Sequence, residues 1–285
     1  MKIENRTFIV SGGSSGLGLA TVQDLIQHGA YIAILDISPP PPSVVSSSSP
    51  SSSSSSPLTP SSSSFPSTSE TPRALFVQTD IRDVAQIQDA VTRTVAWMKV
   101  TGAVLGGVIN CAGLGRNELM INSKGKAHST DIWDLTMSVN VTGTFNLTRL
   151  ALEHLVHVEP EPTADGERGV VIMVASVAAF EGQPGQTAYA ASKGALRSMT
   201  LPMARDLARH HIRVVTLAPG PFTTPLTGQL SDKVHTAIIK AGVLYPKRYG
   251  TPGEFAETVR WAIGCAYVNG ETVGLTGGGR IPAFL

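Results

Sequence analysis

Short apolar runs recur along the chain at residues 8–10, 31–35, 75–77, 103–109, 170–174 and 214–217, with mixed polar and apolar stretches between them. Each run is continuously apolar, save for Thr216 in the last, rather than alternating, the pattern of a strand covered on both faces. The intervening stretches are long enough for crossover helices, and residues 17–28 read as the first of them. The expectation is an α/β fold: a single domain over residues 1–285, built on one doubly wound parallel sheet with helices on both faces.

One segment breaks the pattern. Residues 38–72 are almost entirely serine and proline. Such a composition buries too little apolar surface to offset the entropy of ordering, so a disordered loop is expected there. A second polar stretch, residues 159–169, reads as a surface connection. Overall the chain is 42% hydrophobic and 15% charged, enough for a sizeable core. A formal net charge of +1 gives no electrostatic case for nucleic acid or an anionic membrane. The two cysteines, Cys111 and Cys265, stand far apart and suggest reduced thiols and no metal cluster. No apolar run approaches the ~20 residues of a membrane span, and no signal-peptide core opens the chain. The expectation is a soluble, intracellular protein of the cytoplasm or mitochondrial matrix.

Chemistry enters with Ser11-Gly12-Gly13-Ser14-Ser15-Gly16-Leu17-Gly18, which follows the first strand and opens the first helix. Glycines at Gly12, Gly16 and Gly18 allow a tight turn, and main-chain N–H groups around Ser15 and Leu17 can approach a pyrophosphate at a helix N-terminus. Asp36 ends the second run, where a carboxylate accepts hydrogen bonds from ribose hydroxyls and repels a 2′-phosphate. No arginine or lysine stands in the glycine loop or just after Asp36. This is a Rossmann-like dinucleotide signature, and it points to NAD rather than NADP.

Downstream, Tyr189 opens the run Tyr-Ala-Ala-Ser-Lys that ends at Lys193, with Ser176 upstream. On one helix the i,i+4 spacing puts phenol and ammonium on the same face. The positive charge is then expected to favour the phenolate, lowering the Tyr189 pKa. A hydroxyl from Ser176 can hold a substrate oxygen while Tyr189 exchanges its proton. That set interconverts an alcohol and a carbonyl without a metal.

Taken together, these residues resemble the short-chain dehydrogenase/reductases over the whole chain outside the serine–proline loop. Asn110-Cys111-Ala112-Gly113 is similar to the family's Asn-Asn-Ala-Gly element, with cysteine in place of the second asparagine. Asp80 and Ile81 resemble the adenine-contacting pair, Asn140 the helix asparagine of the proton relay, and Pro219-Gly220 with Thr224 the segment at the nicotinamide end. The stretch 175–183, the stretch 200–207 and the insertion 119–130, with Lys124, Lys126 and His128, are similar to the type II 3-hydroxyacyl-CoA dehydrogenases. The resemblance implies Ser176, Tyr189, Lys193 and Asn140 as catalytic residues, with Ser176 and Tyr189 meeting the substrate. It implies cofactor contacts from Ser15, Leu17, Asp36, Asp80, Ile81, Cys111, Phe222 and Thr224, and a homotetramer. The expected substrate is an acyl-CoA. Two alternatives stay open: a tailoring oxidoreductase acting on an apolar alcohol or ketone such as a steroid, and a nucleotide-binding scaffold subunit. Residues 221–250, with Leu226, Leu230, Val243, Leu244 and Tyr245, are expected to form an apolar substrate mouth.

Overall fold

The computed structural model describes residues 1–45, 71–163, 165–225, 227–229 and 232–280. The chain runs β1 (Arg6–Ser11), α1 (Gly16–Gln27), β2 (Tyr31–Asp36), a helical turn α2 (Pro42–Val45), β3 (Ala74–Gln78), α3 (Val84–Thr101) and β4 (Val104–Asn110). It continues through α4 (Thr130–Met137), a π-helical stretch (Ser138–Gly143), α5 (Thr144–Leu155), β5 (Gly169–Val174), α6 (Thr187–Leu207) and β6 (Ile212–Pro219). Helices α7 (Asp232–Gly242) and α8 (Pro252–Gly264) precede β7 (Thr272–Leu275).

The seven strands form one parallel sheet in the order β3-β2-β1-β4-β5-β6-β7. This is the Rossmann-like arrangement, and all six apolar runs of the sequence lie in its strands. Their continuous hydrophobicity has a plain cause. Within β1, Ile9 packs into a core with Leu105, Leu147, Val91 and Met173, while Phe8 and Val10 pack into another with Val22, Leu25 and Phe255. Successive side chains of a strand point to opposite faces, and here both faces are covered. Helices α3, α5 and α6 cover one face, and α1 and α8 the other.

The path leaves β1 toward β2 on one side and returns to β4 on the other. At that reversal the strand ends part, and a ligand crevice opens beyond their carboxyl ends.

Some expectations change. Most of the serine–proline stretch, residues 46–70, lies outside the described residues. Its flanks carry order: Pro42–Val45 forms a helical turn and Val44 is buried. The connection 159–169 is more than surface, because Glu167 is buried against Arg213, with Oε1 2.7 Å from the guanidinium. No helix among the described residues is long and apolar enough to cross a membrane.

Candidate active site

A cleft of about 540 Å³ runs along the carboxyl ends of the central strands. Its lining joins the glycine loop, Asp36, Asp80, Ile81, Cys111 and Thr224 with Tyr189 and Lys193. β2, which carries Asp36, and β5, which leads to Ser176, stand three places apart, roughly 14 Å at ordinary strand spacing.

The glycine loop is shaped for a close visitor. Gly12 sits at φ +65°, and a Cβ there would come 2.7 Å from Ala112 N. Gly18 packs on the loop itself, and its Cβ would run into Gly12 O. Ser15 at the N-cap of α1 makes no side-chain cap, so the first N–H groups of the helix are left to an anion. Ser14 Oγ is buried without a hydrogen-bond partner among the described residues. These features fit a dinucleotide pyrophosphate.

Asp36 is fixed by its neighbours. Its Oδ2 accepts from Ser14 N at 3.0 Å and its Oδ1 from Ser38 N at 3.2 Å. Beside it, Asp80 grips Arg82 with both oxygens, and this bond holds its carboxyl below the usual carboxylate range.

At the other end Ser176 caps a short 3₁₀ turn after β5, its Oγ accepting from Ala178 N at 3.1 Å. The Ser176 side chain also hydrogen-bonds Tyr189. Tyr189 and Lys193 share α6, and the Lys193 ammonium lies 5.8 Å from the centre of the Tyr189 ring. Lys193 Nζ donates to Val174 O at 2.7 Å, which ties the helix to the end of β5. The electrostatics correct the expectation of a lowered tyrosine pKa. Burial pushes the Tyr189 phenol up, and the Ser176 bond draws it only part of the way back. The same burial pushes Lys193 down to about 8, with Cys111 opposing weakly. Desolvation penalises both charged forms and outweighs their mutual attraction at this separation.

Three other residues sit differently from their expected contacts. The Asn140 amide is taken up in the π-helical stretch: Nδ2 donates to Leu114 O and Ser192 Oγ, and Oδ1 accepts from Leu114 N, all at 2.9 Å. Asn110 turns into the sheet, its Nδ2 3.1 Å from Thr148 Oγ1. Phe222 is buried edge-on against Phe255, away from the cleft. Cys111 lines the cleft, and burial pushes its thiol up to about 12.

Of the substrate mouth, Leu226 and Leu230 lie outside the described residues, Val243 is buried, and Leu244 and Tyr245 are exposed. The insertion folds as a hairpin with an Ile121–Ala127 bridge, its Lys124 and Lys126 exposed and His128 Nδ1 3.6 Å from Glu118.

Sequence reasoning missed two residues. Arg82 lines the cleft because Asp80 holds it there, a pairing that no spacing rule announces. Ser192 sits inside the Tyr-to-Lys run, where its hydroxyl links Asn140 to Tyr189 O at 2.7 Å.

A family model described as short chain dehydrogenase matches residues 6–235. The chain is 38% identical over 275 residues to a 3-hydroxyacyl-CoA dehydrogenase type-2 of Bos taurus, covering 96% of this chain and 94% of that one. The Homo sapiens protein of the same description is 36% identical over the same shares. A crystal structure of a 3-hydroxyacyl-CoA dehydrogenase type-2 from Mycobacterium avium superposes with a TM-score of 0.80 at 28% identity, covering 98% of each chain.

Proposed function

The chain belongs to the short-chain dehydrogenase family, and from that premise we propose that it interconverts 3-hydroxyacyl-CoA and 3-ketoacyl-CoA with NAD. The observation that carries the proposal is that Tyr189, hydrogen-bonded by Ser176, and Lys193 line one end of a cleft whose other end is the glycine loop and Asp36. The names of the relatives supply the acyl-CoA.

A bound nicotinamide supplies the hydride donor or acceptor. Around it, Gly12 to Gly18 and the N-terminus of α1 hold the pyrophosphate, Asp36 the adenosine ribose, Asp80 and Ile81 the adenine, and Thr224 the far end. Lys193 would hold the second ribose, while Asn110, turned into the sheet, and Phe222, packed on Phe255, offer the cleft no side chain. Ser176 hydrogen-bonds the substrate oxygen and fixes it before Tyr189. Because its pKa is raised, Tyr189 rests as the neutral phenol near pH 7 and is ready to protonate a carbonyl oxygen. In the oxidative direction Tyr189 first gives its own proton up to water, and the phenolate so formed takes the hydroxyl proton, with Lys193, near 8, exchanging protons beside it. Asn140 keeps the loop after β4 and the start of α6 in register, and a relay water would bind against this frame.

Acetoacetyl-CoA reduction, followed with NADH and NADPH in parallel, tests the reading. Turnover with NADH is expected, and Tyr189→Phe is expected to bind NADH normally while turning over at least ~100-fold more slowly. Near-normal turnover in that variant would overturn the assignment. The exposed apolar pair Leu244 and Tyr245 favours one second reading, a dehydrogenase of a free apolar alcohol or ketone; activity on such a ketone with none on acyl-CoA would select it.

We infer a tetramer from exposed Trp133 and Phe145 on α4 and α5 and Leu201 on α6. Light scattering is expected to give four times the 29.9 kDa chain. A monomeric mass would refute it. Free Cys111 and Cys265 favour work in the cytoplasm or mitochondrial matrix.

A further inference from the structure

At the end of the cleft away from Tyr189, the lining carries two carboxylates and one cation: Asp36, and Asp80 paired with Arg82. Among the described residues lining the cleft the cations are Arg82 and Lys193, and Lys193 is tied to β5 at the other end. The Arg82 guanidinium is already engaged. Its Nε donates to both Asp80 oxygens at 3.0 Å and its Nη2 to Oδ2 at 2.6 Å.

Asp80 is held independently of that side chain. Its Oδ1 accepts the Arg82 main-chain N–H at 2.9 Å, and its own N–H donates to Gln86 Oε1 at 2.9 Å. The carboxylate therefore occupies the guanidinium fork in the two-pronged geometry that a phosphate would otherwise use. Asp36 is fixed too, by Ser14 N and Ser38 N. Two carboxylates against one cation, itself paired with Asp80, make this end of the cleft net negative.

We propose that Arg82 is a 2′-phosphate receptor silenced by Asp80, so that the Asp80–Arg82 pair is a second determinant of dinucleotide choice beside Asp36. The inference rests on the reading of the cleft as a dinucleotide site and deepens it. A ribose diol meets the acceptors of Asp36. A 2′-phosphate brings close to two negative charges against two carboxylates and finds the Nε–Nη2 edge of the guanidinium taken. Neutralising Asp80 with its shape kept releases the fork.

Direct-binding titrations of the full chain with NADH and NADPH, followed by fluorescence, test this without turnover. Wild type is expected to favour NADH. Asp80→Asn is expected to shift the NADPH-to-NADH affinity ratio toward NADPH by about tenfold, or about 1.4 kcal/mol. The double variant Asp80→Asn/Arg82→Gln is expected to return the ratio to the wild-type value. Should Asp80→Asn fail to fold, Asp80→Ser carries the same expectation. An unchanged ratio in the single variant, a gain that survives in the double variant, or a wild type that already favours NADPH overturns the proposal. Wild type that binds neither dinucleotide sinks the reading of the cleft itself, whereas binding of both with a fixed ratio sinks only the role of Arg82.

Discussion

Lys193 concentrates the residue-scale physics of this protein. Its ammonium is buried, accepted by the Val174 carbonyl and pushed down to about 8. In the unfolded chain a lysine keeps its proton to about 10.4. Between those values the unfolded state binds more protons, so stability rises with pH across that window; below about 8 the full desolvation penalty applies. Urea titrations of the nucleotide-free protein are expected to show a gain approaching ~3 kcal/mol from pH 8 to 10.5 relative to Lys193→Met. Parallel pH profiles for the two proteins would contradict the burial of this charge. Tyr189, Lys193 and Asp36 were legible in sequence because each belongs to a short local spacing. The sign of the tyrosine shift was not, because spacing reports which charges are near and says nothing of how much water is excluded. Arg82 escaped for a related reason: its place depends on a carboxylate two residues away choosing it over solvent.

At the scale of elements, the loop between β1 and α1 sets the tolerance of the site. A methyl at position 12 meets Ala112 N at 2.7 Å and must also adopt φ +65°. Gly12→Ala is expected to destabilise the protein by about 2 kcal/mol or more and to weaken NADH binding, measured by urea unfolding and by titration. Unchanged values for both would mean that the loop relaxes freely. The five inner strands were readable because burial on both faces leaves an apolar run, and the edge strand β3 because Leu75–Val77 is apolar as well. β7 was not: Thr272–Leu275 is four residues long, includes Gly274 and is nowhere fully buried. Equally silent was the π-helical stretch Ser138–Gly143. It shifts backbone pairing while leaving the hydropathy of the helix unchanged, so Asn140 was placed on a helix without its bonds to Leu114 and Ser192.

Across the whole molecule, a buried ion pair joins distant parts of the chain. Arg213 on β6 meets Glu167 ahead of β5 and donates to Ala262 O, Ile263 O and Val268 O beyond and within α8. Removing one partner leaves an uncompensated buried charge. Glu167→Ala is expected to lose about 3–5 kcal/mol by urea unfolding, with much of it recovered in Glu167→Leu/Arg213→Met. An equal loss in the double variant would assign the effect to packing. Composition gave this polar connection the look of a surface loop, since the partner of Glu167 lies far along the chain. The sheet itself is continuous from β3 to β7, so both ends of the cleft hang from one hydrogen-bonded set of strands. The distance from the ribose-binding carboxylate to the phenol is thereby written into the strand ladders.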